Sequence, residues 1–374
     1  MPSSSGPKPA LAEPQAKQRI DAIDFARGVA ISLMILSHGV IGLLSFEQIP
    51  DFGLVPVHLI TKFSSSLFIL VFGIALAVAY GPHVGLPTWP GRRRRLLIRG
   101  VTILIWYKVL TIAEMVPRHS REEILDTLLY RSFPVFVEIL GFYAIALLWI
   151  PFILPLWYRM PAAAKWVVPP GLALASWWLE GHFRFWGVEP LQAILVEHER
   201  FYTWGQLARA PLVFLGLLAG EQLLAWRDRG AIRLRPAAVF ATVSAALFAG
   251  FLWVASEDLS GALVAIAMNQ GKHPPELEFM LFSVAGACLT LALAFVGGRE
   301  LAKALRPVTV IGTDALQAFI AHIAVICVFY RSLLGYWREI SYPKALQLTL
   351  LAFLITWLWI EVLSWKSRSQ RHAR

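Results

Sequence analysis

The sequence is short of charge. Asp, Glu, Lys and Arg make up 16% of its 374 residues, against 57% hydrophobic, where a soluble chain carries about 25% charged and roughly 45–50% apolar residues. A chain so composed lacks the polar surface to face water all round, and the same figures exclude disordered, collagenous and disulfide-framework proteins. Cysteine is nearly absent: Cys288 and Cys327 both fall inside apolar runs, without the spacing of a disulfide framework or a zinc site. No ligand spacing such as His-Glu-x-x-His occurs, so no metal is expected. The net charge of +10 is not gathered on a polar domain, which argues against nucleic acid as a partner. Aromatic residues are plentiful, with 15 Trp and 23 Phe, as expected where rings settle at both interfaces of a bilayer. The class that remains is an all-α, polytopic membrane helix bundle.

About ten apolar stretches approach or exceed the length that spans ~30 Å of hydrocarbon. They lie at 28–46, 58–80, 96–115, 133–156, 163–180, 205–225, 237–256, 277–297, 308–332 and 343–365, the fifth interrupted by Lys165 and Pro169-Pro170. Most of the 34 lysines and arginines fall in the two tails and in alternate short loops, so the positive-inside rule predicts both termini in the cytoplasm. Residues 1–18, without an apolar core, read as a disordered cytoplasmic tail, 19–366 as the membrane domain and 367–374 as a basic cytoplasmic tail. Two outer segments, 118–131 and 181–204, are long enough to be structured. In the second, Leu191, Ile194, Leu195 and His198 recur at helical spacing. They predict a short interfacial helix that either roofs an outward-opening site or rests on lipid headgroups.

A charged side chain inside a span costs about 2.5–3.5 kcal/mol on insertion scales, so each one asks for a reason. Lys62, Glu180, Arg209, Glu221 and Glu361 sit near span ends, where they can snorkel or pair. His38, Glu138, Asp314 and His322 are the better functional candidates. The sharpest pattern is Arg19-Ile-Asp-Ala-Ile-Asp24-Phe-Ala-Arg27-Gly28, followed by an apolar run to His38. Asp24 precedes Arg27 by one helical turn. Arg27 and His38 are separated by about three turns plus roughly 20°, which puts both on one helix face about 16 Å apart along the axis. The guanidinium is then at the membrane rim and the imidazole deep in the bundle.

Arg92 to Arg95 and Arg99 form a second basic group on the same side of the membrane. Arginines at the rim with a histidine at arm's length suit a coenzyme A thioester, whose phosphates pair with guanidinium groups. Imidazole titrates near neutrality and can take a proton from a hydroxyl or an ammonium. The competing reading is a transporter or flippase of an anionic or sugar-linked substrate, its path lined by the same charges. No internal repeat supports it.

The Arg-x4-Asp-x2-Arg-Gly pattern leading to an intramembrane histidine resembles the opening of the transmembrane acyltransferase superfamily. That group takes in the acyltransferase-3 family, the periplasmic glucan succinyltransferases and the heparan-alpha-glucosaminide N-acetyltransferase-like proteins. Ser65-Ser-Leu-Phe-Ile-Leu-Val-Phe-Gly73, with Ala77 and Tyr80-Gly81, is similar to the second span of the family, although the spacing of Gly73, Ala77 and Gly81 is also that of close helix packing. Arg92-x-x-Arg95 is similar to its paired arginines before the third span. Glu138-Ile-Leu-Gly-Phe-Tyr143 resembles an acidic-Ile-Leu-Pro-Leu-Tyr stretch, with Gly141 in place of the proline. Lys272-His-Pro-Pro-Glu-Leu277 and Gly312-Thr-Asp-Ala-Leu316-Gln-Ala-Phe319-Ile-Ala-His322 resemble the lead-in to a late span and a histidine-bearing span.

The resemblance implies acyl transfer from a cytoplasmic donor, acetyl-CoA or succinyl-CoA, to a glycan or glycolipid acceptor, with no tightly bound cofactor. It implies that His38 is the catalytic histidine, as general base or transient acyl carrier, with Asp24 orienting Arg27 and Glu138 orienting the acceptor or partnering His38. Arg27, Arg92, Arg93, Arg95 and Arg99 would hold the donor's phosphates, and Asp314 and His322 would border the cavity. The expected setting is the lipid bilayer of a bacterial inner membrane. No motif speaks to oligomeric state.

Overall fold

The computed structural model describes residues 20–44, 55–116, 118–134 and 136–372. The proposed tail at 1–18 lies outside them. Described elements are helical throughout, without a sheet. They run α1 (Asp21–Leu43), α2 (Val55–Thr61), α3 (Phe63–Tyr80), α4 (Trp89–Met115), α5 (Arg121–Leu128), α6 (Glu138–Arg159), α7 (Ala162–His182) and α8 (Glu189–Leu195). Then follow α9 (Gln206–Asp228), α10 (Leu234–Val254), α11 (Leu259–Ala267), α12 (Leu277–Ala304), α13 (Arg306–Thr313), α14 (Ala315–Ile323), a π-helical continuation at Ala324–Leu333, and α15 (Tyr342–His372). In hydrocarbon each backbone N–H and C=O needs a partner within its own segment, which is why the spans are helices.

Among the described residues, nine helical units are long and apolar enough to cross a membrane. The fifth expected stretch, α7, forms a helix of 21 residues, about 31 Å at 1.5 Å per residue, but Lys165, the two prolines and Glu180 lower its hydropathy. Its outward face carries Trp166, Val167, Leu174 and Trp177, and Lys165 turns inward to pair with Glu221 of α9 at 2.8 Å. α15 runs through 367–372, so most of the expected C-terminal tail continues that helix.

Contacts between helix ends sort the bundle into two faces. Gly28 near the start of α1 abuts Val308 of α13, and Arg306 pairs with Glu361 near the end of α15 at 2.6 Å. The ends of α3 and α6 meet at Gly81 and Tyr158. The start of α7 meets the end of α9 through Lys165–Glu221, and Arg233 beside α10 bonds Val296 of α12. The starts of α1, α7, α10 and α13 thus share one face, here the basic face, with the ends of α3, α6, α9, α12 and α15.

α1 is central, packed on α3, α12, α13 and α15, with Ala26, Ala30 and Ile31 fully buried. Small residues set the closest crossings. A Cβ on Gly73 of α3 would collide with the backbone of Val213 and Gly216 of α9, so the glycine spacing serves packing. A Cβ on Gly312 would strike the carbonyl of Asp24.

That last contact changes the expected span at 308–332. Gly312 is held against α1, and α13 stops at Thr313. The Asp314 side chain then accepts a bond from Gln317 N at 3.3 Å and restarts the chain as α14. Of the outer segments, 118–131 folds as α5 behind a Ser120/Glu123 capping box. In 181–204, α8 packs inward against α9, with Ala193, Val196 and Glu197 fully buried. It covers that end of the bundle.

Candidate active site

On the basic face, Arg27 Nη1 donates to Asp24 Oδ1 at 3.2 Å and to Gly312 O at 3.0 Å. The break after α13 frees that carbonyl, and the paired carboxylate fixes the guanidinium. Arg27 and Arg99 stand in the wall of a cavity of about 340 Å³ that also meets Tyr80, Thr313 and Ala315. Its inner lining is apolar and aromatic: Phe68, Leu140, Tyr143 and Phe319.

The remaining arginines of the run do not line this cavity, contrary to the sequence expectation. Leu96, Arg99 and Ile103 form the stripe of α4 that does. Arg92 and Arg95 lie one turn earlier on that stripe, outside the cavity, and Arg93 turns onto the ring of Phe152, 5.5 Å from its centroid. Four consecutive arginines cannot share one face of a helix. Asp314 is likewise no cavity residue: it is an exposed helix cap.

At the opposite end of α1, His38 lines a second, smaller pocket of about 40 Å³ with Lys62, Glu138, Trp204, Asn269 and Lys272. Helices α1, α2, α3 and α6 and the loops before α9 and α12 contribute to it. Lys62 Nζ donates to Asn269 Oδ1 at 2.8 Å, Lys272 Nζ to the Tyr202 hydroxyl at 2.5 Å, and Trp204 Nε1 to Glu138 Oε1 at 3.2 Å. Glu138 Oε2 is buried without a hydrogen-bond partner. Glu138 therefore shares the pocket with His38 without bonding to it. His38 Nδ1 lies 3.2 Å from His322 Nε2, and His322 Nδ1 lies 2.9 Å from Ala318 O. The His38 ring is held edge-on by Phe136 and Phe319, centroids 5.4 and 6.2 Å away.

A buried ionic cluster forms the roof. Glu197 accepts from Arg209 Nε at 2.7 Å, from His273 Nδ1 at 2.7 Å and from Gly205 N at 3.3 Å. Arg209 also donates to the carbonyl of Lys272, which ties the lysine backbone to the roof. Arg209 and His273 hold the Glu197 carboxyl below its usual range against the opposing effect of burial. Burial pushes His273 down to about 4 although Glu197 opposes it. Burial also pushes Lys272 down to about 8, opposed by Glu138.

Phe319 joins the two sites. It lines the arginine cavity and lies against both His38 and His322; the neighbours Ile139 and Leu140 of α6 line the small pocket and the large cavity respectively. Lys62, expected from the sequence to snorkel or pair near a span end, is 3% exposed, pairs with Asn269 and faces the pocket. Lys272 was visible only as part of a motif.

The chain is thus a polytopic helical membrane protein with two cavities on either side of the contact between His38 and Phe319. Residues 19–224 match the profile described as heparan-alpha-glucosaminide N-acetyltransferase, catalytic, and the chain belongs to that family of membrane acetyltransferases. The match takes in Asp24, Arg27, His38, Arg99 and Glu138; Lys272 and His322 lie beyond it. No individual curated protein matches the chain.

Proposed function

We propose that the protein transfers an acyl group from a cytoplasmic acyl-CoA, acetyl-CoA before succinyl-CoA, to a glycan or glycolipid presented at the opposite face of a bacterial inner membrane. The observation that carries the reading is the approach of two unlike cavities from opposite sides of the His38–Phe319 ring contact, one rimmed by Arg27 and Arg99, the other lined by Lys62, Glu138 and Lys272. The basic face is the cytoplasmic one in this reading. Arg27, oriented by Asp24, and Arg99 receive the donor's phosphates, with Arg92 and Arg95 as an outer basic approach. The apolar inner wall takes the pantetheine arm.

His38 acts as general base. It accepts the proton of the acceptor hydroxyl or amine as that oxygen or nitrogen bonds to the thioester carbonyl carbon. The carbon–sulfur bond breaks, and the leaving thiolate receives the proton. Glu138, with one carboxylate oxygen unsatisfied, orients the acceptor group. The family supports the acetyl group as the one moved.

The test is acetyl-CoA binding and acetyl transfer by the purified protein, with Arg27→Ala and His38→Gln alongside. Saturable binding that weakens in Arg27→Ala and persists in His38→Gln, with transfer lost in the latter, is the expected result. Absence of acetyl-CoA binding to folded protein overturns the donor assignment, and transfer retained in His38→Gln overturns the base.

A further inference from the structure

We propose that His322 is a positioning residue that fixes the proton of His38 on Nδ1 and so leaves Nε2 bare toward the pocket. The inference rests on the reading of His38 as base and adds how that base is prepared.

The argument follows from what each atom is able to do. The carbonyl of Ala318 only accepts, so His322 Nδ1, 2.9 Å away, carries a proton. A neutral His322 then offers a lone pair at Nε2. His38 Nδ1 lies 3.2 Å from that nitrogen, and for the contact to be a hydrogen bond, His38 Nδ1 must donate. A neutral imidazole with its proton on Nδ1 has its lone pair on Nε2.

The other solution, a doubly protonated His322, would bury a cation at 0% exposure. Among the described residues no carboxylate bonds to either ring, while Lys272 lines the same pocket as His38 and Arg331 lies over the Phe136 ring that packs against it. An uncompensated buried cation there is costly. The rings are stacked at 22° with centroids 5.4 Å apart, and the Phe136 and Phe319 edges oppose rotation of His38.

His322 is not a second base. Both of its nitrogens are engaged and its ring is fully buried. A neutral histidine in water prefers its proton on Nε2, so the reverse arrangement has to be imposed by a neighbour. The chain of acceptors that imposes it starts in the backbone of α14, whose register is set by the break at Asp314.

The experiment is nitrogen-15 NMR of histidine-labelled protein in lipid, with His38 assigned by its loss in His38→Gln. Expected is a protonated Nδ1 and a bare Nε2 on His38 in the wild type and in His322→Gln, whose amide oxygen accepts the same bond. In His322→Leu the proton moves to Nε2. Turnover should follow: His322→Leu loses about 100-fold in kcat with KM for acetyl-CoA unchanged, and His322→Gln stays within about tenfold of wild type.

A merely packing role would reverse that order, because Leu fills the buried site better than Gln, and that order overturns the proposal. A wild-type His38 protonated on Nε2 overturns it outright, whatever the activity. The expected tautomer together with an active His38→Gln would overturn the general-base reading instead.

Discussion

The cavity behind Arg27 is wide and mostly apolar, about 340 Å³, with its charge confined to the mouth; the pocket beyond Phe319 holds about 40 Å³ and gathers polar side chains around Met34, Ile139 and Trp204. In the first, the proposed donor needs only an anion site at the rim and an apolar lining for its arm, and Arg93, Arg94 and Arg95 stay exposed outside it. In the second, Lys62, Lys272, Trp204 and His38 are each tied by a hydrogen bond, and the roof above is an ion cluster sealed from solvent. Binding tolerates redundancy, whereas proton transfer needs atoms held to a fraction of an ångström.

The sharpest way to break this contrast is at His38. His38→Gln should lower the turnover number by about 10²–10⁴, the usual contribution of a general base, while the dissociation constant for acetyl-CoA stays put. A variant impaired equally in donor binding and turnover would mean that the two cavities are one site.

Next in size is the roof. Glu197→Gln leaves Arg209 and His273 buried beside a neutral amide, and breaking a buried pair in this way costs about 3–5 kcal/mol, read as a lower melting temperature. Arg27→Ala also removes a partner of the buried Asp24, but at a more exposed site, and should shift it less. The roof also sets a pH dependence. Both Glu197 and His273 bind protons less readily folded than unfolded. The stability that Glu197 contributes is present above the unfolded carboxylate value of about 4.3 and lost as pH falls through its lower folded value. His273 takes up a proton in the unfolded chain from about 6.5 downward but in the folded one only near 4, so stability declines across that window. Melting recorded from pH 7.5 to 4.5 should fall, and fall less in His273→Gln; a flat wild-type profile would contradict the buried cluster.

The bundle was legible in the sequence because a bilayer leaves the backbone no alternative to helices of a fixed length. Asp24, Arg27 and His38 were legible because a single helix relates them, and helical periodicity does not depend on tertiary structure. The small pocket was not, since Lys62, Glu138, Trp204 and Lys272 come from separate elements that only packing brings together. The break at Asp314 escaped for the same reason: it is dictated by Gly312 lying against the Asp24 carbonyl. For the run from Arg92 to Arg95 the sequence does not tell which arginine faces the cavity. A charge run at the start of a span serves orientation in the membrane, and only Arg99, on the stripe with Leu96 and Ile103, reaches the cavity.

The smaller predictions turn on that distinction. Arg27→Ala, and to a lesser degree Arg99→Ala, should weaken acetyl-CoA binding by about tenfold, as for one charge-assisted hydrogen bond, whereas Arg93→Ala, whose side chain lies on Phe152, should leave it unchanged in calorimetry. If Arg93 matters as much as Arg27, the donor's phosphates sit outside the cavity. Smallest of all is Asp314→Ala. It removes the bond to Gln317 N and should cost about 1 kcal/mol of stability, with Asp314→Asn near wild type because the amide oxygen still caps α14. Acetyl transfer should fall no further than the folded fraction does. A selective loss of turnover in both variants would return Asp314 to the chemistry, through the register of α14 and the His322 ring that it carries.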